Sequence, residues 1–221
     1  MKKTNGKLLH YFVALMMIFF LPLASCDDSD DDSADPGNGN GDNGGTEKWE
    51  PYNFQNHKSA TMVYDFEFEE DGETSWSGTS TIEINDPSVT LTVVFNGDEN
   101  VITADNHDNV EDNFNEAINN SPYLGAILYG GFWPTIFEDQ ELSVGASWSW
   151  SYEGNSVDLE ITGKEQYAGQ EGYVAEYTFE YEDGEVATYT ICVDPDIPLP
   201  LMVEIVEEEA RYHLVMTDYQ N

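Results

Sequence analysis

From Trp49 onward the chain alternates apolar and polar residues at period two, the mark of strands with one buried face. Met62, Tyr64, Phe66 and Phe68 fall on one side of such a strand, and Asp65, Glu67 and Glu69 on the other. Asp71-Gly72 then leads to a run from Trp76 to Ile84, and Asp86-Pro87 leads to Val89, Leu91, Val93 and Phe95. Turn residues at those places predict three strands in meander order, with Val101 to Ala104 as a short fourth. Six further runs follow: Ser147 to Glu153, Val157 to Thr162, Tyr173 to Tyr181, Val186 to Val193, Leu201 to Val206 and Tyr212 to Tyr219. Their connections are short and hold Gly154-Asn155, Ala168-Gly169, Asp183-Gly184, Asp194-Pro195 with Pro198 and Pro200, and Glu207-Glu208-Glu209, which favours antiparallel pairing over parallel crossovers. One stretch has helical spacing instead. Val110, Phe114, Ala117 and Ile118 share a face within Asp108 to Asn119, with Asp or Asn at the start and Pro122 beyond the end. The expected fold is mainly β (α+β), with about ten antiparallel strands in one curved sheet or half-barrel and one helix between its two halves.

The beginning of the chain follows other rules. Met1-Lys2-Lys3 and Lys7 precede an apolar run from Leu8 to Leu23, interrupted by His10 and closing on Leu23-Ala24-Ser25-Cys26. That run is shorter than the roughly 20 residues that cross a bilayer, so residues 1 to 25 read as a cleaved signal peptide. Leu-Ala-Ser-Cys resembles the lipobox of prokaryotic lipoproteins, and the resemblance implies that Cys26 becomes the lipid-modified first residue of the mature protein. A signal anchor, or a secreted protein with an incidental cysteine, is the alternative. Residues 27 to 46 then hold Asp, Ser, Gly, Asn and Pro with one alanine, one threonine and no large apolar residue, so residues 26 to 46 read as the lipidated cysteine followed by a charge-extended tether. Asp28, Asp30 and Asp32 have the spacing of a calcium loop, but its glycine and its closing glutamate are missing. Residues 47 to 221 are left as a single β-rich domain.

Charge narrows the partners. The formal charge is −37, and removal of residues 1 to 25 takes away Lys2, Lys3 and Lys7 and no acid, giving −40. Such a field repels nucleic acid and anionic headgroups alike, so no nucleic-acid partner is expected, and only an acyl anchor at Cys26 would hold the domain beside a membrane. With Cys26 acylated, Cys192 has no disulfide partner, and its place in Tyr189-Thr190-Ile191-Cys192-Val193 suits a small buried apolar group.

Little in the chain speaks for catalysis. His57, His107 and His213 are too far apart in sequence to form a ligand pair on one element, and His213 runs out of step with Tyr212, Leu214 and Met216, which puts it on the solvent side of its strand. There is no Gly-x-Ser-x-Gly, phosphate loop or Cys-x-x-Cys. No catalytic residue, metal or cofactor is expected. The aromatics carry more information. Trp148, Trp150 and Tyr152 line one side of a strand with serines on the other, and Tyr123 to Pro134 is apolar, glycine-rich and free of charge in an otherwise acidic chain. Aromatics at period two are ordinarily sheet core, and an uncharged segment of this kind needs a burial partner, which a plug, a lid or a binding surface would each supply.

The run from Tyr189 through Asp194-Pro195 and Leu199-Pro200-Leu201 to Ile205 resembles the strand, Asp-Pro turn, Leu-Pro-Leu, strand pattern of LolA/LppX-like half-barrel envelope proteins. Val144-Gly145-Ala146-Ser147-Trp148 resembles the strand start of uncharacterised secreted β-rich domains. Half-barrel members cup an acyl chain or a lipoprotein anchor against a sheet, although they have several helices where this chain offers one. The expected function is therefore a lipid-anchored envelope protein on the extracytoplasmic side of a membrane, a non-enzymatic module for a hydrophobic ligand. Tyr123, Leu128, Phe132, Trp133, Trp148 and Trp150 are its candidate ligand-binding residues. The alternative is a structural or protein-partner surface lipoprotein in which the same residues are sealed core, and a hydrolase with paired carboxylates in a cleft stands third. The Cys26 reading is tested directly by fractionation: Cys26→Ser moves the protein from the membrane pellet to the soluble fraction, and full retention in the pellet contradicts an acyl anchor.

Overall fold

A computed structural model describes residues 47–50, 53–105, 137, 140–152, 155–180, 186–206 and 210–221. The signal peptide, Cys26, the tether, the helix expected over Asp108 to Asn119 and the segment from Tyr123 to Pro134 lie outside the described residues. Within them, all ten expected strands form, and together they make one antiparallel sheet. They are β2 (Ser59–Glu70), β3 (Glu73–Asn85), β4 (Ser88–Phe95), β5 (Asp98–Ala104), β7 (Ser147–Tyr152), β8 (Asn155–Tyr167), β9 (Gln170–Glu180), β10 (Val186–Val193), β11 (Met202–Val206) and β12 (Ala210–Gln220). Their order is β5-β4-β3-β2-β12-β11-β10-β9-β8-β7. Two meanders, β2 to β5 and β7 to β12, are thus joined by their outermost chain positions, β2 and β12, in register from Ala210 opposite Glu70 to Gln220 opposite Thr61. A bulge between Met216 and Asp218 interrupts that ladder.

The period-two pattern misses two short elements. β1 (Glu47–Lys48) pairs with β6 (Glu141–Leu142) in a separate two-stranded ladder, and a two-residue strand is too short to show any alternation. It also shortens β8, which runs to Tyr167 because Lys164, Glu165 and Gln166 continue the ladder with β9 after a shift between Ile161 and Gly163.

Three hairpins close on two residues, both with positive φ: Asp71-Gly72, Asn96-Gly97 and Ala168-Gly169. This geometry matches the right-handed twist of the flanking strands, and it suits Asn, Asp and Gly but penalises an alanine. Asp86-Pro87, with a cis peptide, turns β3 into β4.

One face of the sheet is largely apolar. Met62, Tyr64 and Phe66 on β2, Ile82 and Ile84 on β3, Leu91 and Val93 on β4, Leu159 and Ile161 on β8, Tyr177 on β9, Tyr189 and Ile191 on β10 and Tyr212, Leu214 and Met216 on β12 are all buried. The opposite face carries Glu160, Glu176, Thr190, Glu204, His213 and Glu67 as one cross-strand row. Arg211 lies on that face as well. Its guanidinium donates to Glu204 from Nε at 2.7 Å and reaches Glu69 at 3.4 Å, and these carboxylates hold its pKa up. His213 is on this polar face as its spacing predicts, but it is half-buried between Glu204 and Glu67, and desolvation lowers its pKa.

The sheet end that holds the Asp86-Pro87 and Ala168-Gly169 turns is sealed by chain from outside the sheet. Trp49, Phe54, Phe137, Leu142, Ile197 and Leu199 are buried there. Trp49 donates from Nε1 to the Ile197 carbonyl at 2.7 Å, and its ring meets Phe137 edge-on at 5.4 Å. Tyr173 donates its hydroxyl to Glu47 at 2.6 Å, with the Lys164 ammonium 4.1 Å from the centre of its ring. His57 is buried beside this seal, and desolvation lowers its pKa. Cys192 is buried in the next strand row, where burial pushes its thiol up to about 12, as befits an inert packing group. A Cβ on Gly172 would stand 2.8 Å from that sulfur, so only glycine lets the strands close over it.

Two outcomes follow. Ala168→Asn relieves the left-handed alanine and raises unfolding stability by about 0.5–1 kcal/mol in a urea titration. For His57 the folded state holds the ring below its unfolded pKa, so its contribution is complete above about pH 6.5 and is lost as pH falls from there toward the lowered value. The urea midpoint of His57→Gln therefore drops less than that of the unmodified chain between pH 7.5 and pH 5.5; an equal drop contradicts this role.

Candidate functional site

Burial of the apolar face is graded. On β4, Val89, Leu91 and Val93 are buried and Phe95 is only half-buried; on β3, Ser80, Ile82 and Ile84 are buried while Gly78 and Trp76 are not. On β2 the change comes between Phe66 and Phe68, and on β5 between Ala104 and Ile102, with Asn100 and Asp98 exposed. The face is thus closed at the Asp86-Pro87 end and opens towards the Asp71-Gly72 and Asn96-Gly97 hairpins.

Five rings gather where it opens. Phe68 and Trp76 stack at 5.1 Å and 17°, Trp76 meets Phe95 edge-on at 5.9 Å and Phe66 at 5.9 Å, and Tyr212 tilts against Trp76 at 6.1 Å. Phe66 and Phe95 stack at 6.5 Å. The cluster depends on a missing side chain: a Cβ on Gly78 would stand 2.4 Å from Phe66 Cζ and 2.3 Å from the Val94 carbonyl oxygen, so the Phe66 ring lies directly over the Gly78 backbone.

Register then places carboxylates among the rings. β2 and β3 pair Phe68 with Trp76, then shift, and pair Glu69 with Thr74 and Glu70 with Glu73. Thr74 donates its hydroxyl to Glu67, which fixes Thr74, Glu67 and Glu69 on the polar face. Glu70 and Glu73 consequently share the apolar face with Phe68 and Trp76, as does Asp98 opposite Phe95. Half-buried aromatics with a carboxylate rim form the mouth of the apolar face.

Deeper in, polar atoms sit in apolar company. The Ser80 hydroxyl, one row below Phe66 and Phe95, and the Tyr177 hydroxyl are both buried without a hydrogen-bond partner. Tyr177 stacks on Tyr189 at 4.6 Å and 8°, and burial drives its hydroxyl well above the ordinary tyrosine range. An orphaned hydroxyl costs about 1–3 kcal/mol, so each is a place where a bound polar group would gain more than the bond alone.

Of the six residues expected to bind a ligand, Tyr123, Leu128, Phe132 and Trp133 lie outside the described residues. Trp148 and Trp150 are on β7 opposite Leu159 and Val157. Trp148 is half-buried and meets Phe137 edge-on at 5.8 Å. It heads a cross-strand row that runs Trp148, Leu159, Tyr177, Tyr189, Ile205, Tyr212, Phe68, Trp76 across eight strands. Seven inter-strand steps of about 4.8 Å put it roughly 34 Å along the sheet from Trp76, so the two tryptophans are at opposite ends of the row. Sequence reasoning passed over the mouth because Phe66, Phe68 and Trp76 look like ordinary strand core. The available signal was a change of chemistry at fixed parity: the positions that are aromatic up to Phe68 become Glu70, then Glu73, across one hairpin.

Among the described residues no group of three His, Cys, Asp or Glu side chains is placed to hold a metal ion, and no helix is long and apolar enough to cross a membrane.

No protein-family model matches the chain, and no curated protein matches it. Among solved structures, the chain is similar to a domain from Vibrio parahaemolyticus described as an outer membrane lipoprotein-sorting protein, with 10% identity over 73% of this chain and 84% of that one, at a TM-score of 0.21.

Proposed function

We propose that this chain is a non-enzymatic, lipid-anchored module of the cell envelope that binds a hydrophobic ligand through the open end of its apolar face. The observation that carries this reading is the graded burial of that face. Phe68, Trp76 and Phe95 remain half-buried where Phe66, Ile82, Leu91 and Val93 on the same strands are closed. Rings left partly in water forgo stabilisation of about 25 cal/mol per Å2, which a bound acyl chain would recover. The signal sequence ending at Cys26 and the tether to residue 46 support a place outside the cytoplasm, held by acyl chains.

The alternative is a surface module with a sealed core and a protein partner. The near-complete burial of Tyr177, Tyr189 and Leu91 favours it for the deep part of the face, though not for the mouth. The two readings separate on addition of a neutral single-chain amphiphile, dodecyl maltoside, below its micellar concentration. Ligand binding predicts a saturable blue shift of tryptophan emission, weakened about tenfold by Phe68→Ala, which keeps all five tryptophans while removing the ring stacked on Trp76. Emission that ignores the amphiphile, together with no lipid extractable from the purified protein, supports the sealed module.

A further inference from the structure

The ten-stranded sheet begins at β5 and ends at β7. The Asn96-Gly97 turn closes the β4–β5 hairpin on two residues, so Phe95 and Asp98 exchange backbone hydrogen bonds, and alternation repeats this for Val93 with Asn100, Leu91 with Ile102 and Val89 with Ala104. Glu99, Val101 and Thr103 therefore aim their N–H and C=O groups away from β4, and among the described residues no strand takes them up. All three are exposed, Val101 by 56%, which is unusual for a large apolar side chain in this domain. Such an edge is ordinarily blunted by lysine, proline or a bulge. β5 has none of these, since it reads Asp98-Glu99-Asn100-Val101-Ile102-Thr103-Ala104 in unbroken register with β4. The polar face beside it also departs from the rest of the sheet. Val101, Thr92, Thr81 and Val63 make a cross-strand row without charge, and Thr90 and Thr103 meet hydroxyl to hydroxyl at 3.1 Å, whereas Glu160, Glu176, Glu204 and Glu67 share a single row elsewhere on that face.

From this edge we infer that the chain pairs with a second copy of itself, β5 against β5, about a two-fold axis at Val101. Antiparallel pairing centred there sets Val101 against Val101, Glu99 against Thr103, Asn100 against Ile102 and Asp98 against Ala104, so each acid of one strand meets an uncharged residue of the other. A register centred two residues nearer the hairpin would instead oppose Glu99 to Glu99, a like-charge pair that destabilises a ladder. The strand is thus self-complementary in one register. That register supplies roughly six backbone hydrogen bonds to groups of Glu99, Val101 and Thr103, covers the exposed valine, and joins the uncharged rows of the two copies end to end. Each copy carries a charge of −37, so the contact falls where the polar face has least charge, and screening by salt tightens it. This pairing uses a strand edge rather than the apolar face and does not depend on ligand binding.

Cysteine cross-linking of the full chain tests both the pairing and its register. Val101→Cys places two thiols across the axis at a backbone separation of about 5.5 Å, within disulfide range, and mild oxidation gives a covalent dimer. Glu99→Cys alone puts its thiols about 13 Å apart and stays monomeric, as does Thr103→Cys alone, but an equal mixture of the two cross-links. The unmodified chain, whose Cys192 is buried, is the blank. Sedimentation equilibrium gives the second readout. A ladder of this length is a small interface, so a dissociation constant of about 1–100 µM is expected, falling as salt rises to about 0.5 M. Val101→Pro removes an outward donor while sparing the bonds to β4, and it weakens association at least about tenfold with the urea midpoint unchanged. Val101→Lys does the same by charge if the proline variant is unstable. A chain that stays monomeric at about 0.5 M salt and a concentration above that range overturns the pairing, and so does cross-linking of Glu99→Cys alone as complete as that of Val101→Cys.

Discussion

The pairing of β2 with β12 is the constraint on which everything else depends. Each meander is built from neighbours in sequence and needs only short turns, but neither alone has the mouth: Phe66, Phe68, Trp76 and Phe95 come from the first, and Tyr212 from the second. The ladder from Glu70 opposite Ala210 to Thr61 opposite Gln220 brings them together. It is also the least local strand pairing among the described residues, since the paired residues are separated by more than a hundred positions, and its loop closure must be met before any cross-strand gain is realised. Burial of Met62, Tyr64, Phe66, Tyr212, Leu214 and Met216 at this seam is what offsets that cost.

The division of faces solves a problem set by composition. A chain with 44 acidic residues against seven lysines and arginines cannot bury its charge by pairing. The sheet instead puts carboxylates in rows on the polar face, where water and counterions screen them, and spends its few cations at chosen points. Arg211 bridges Glu204 and Glu69 across the β11–β12–β2 seam, and Lys164 lies over Tyr173 beside Glu171. At the mouth, acids and half-buried rings share the apolar face.

Most of the sheet is legible in the sequence because alternation and turn chemistry agree. Every expected strand forms, Val186 to Val193 with its expected bounds, and the Asp71-Gly72 and Ala168-Gly169 turns close their hairpins as read. The two runs of strands also form the two halves of one sheet, as expected from the sequence. What alternation cannot give is strand order, because pairing β2 with β12 rather than with β7 depends on shape that no single strand encodes. Nor can it give exposure along a strand. Phe66 and Phe68 are equivalent in periodicity, yet one is buried and the other half-buried, since the difference lies in what covers each. For the same reason Trp148 and Trp150 drew attention in sequence, while Trp76, at the far end of the same cross-strand row, did not.

The burial gradient also sets where the domain yields first. Amide groups on strands whose side chains are closed over, around Leu91, Ile191 and Met216, exchange with solvent only through large openings, whereas those near Asp71-Gly72 and Asn96-Gly97 need no more than fraying of a hairpin. The fold is therefore stiff at the end sealed by Trp49, Phe54 and Ile197 and compliant at the end that holds the rings. A guest entering there would meet backbone that can part by local motion, without disturbing the seam that unites the two halves of the sheet.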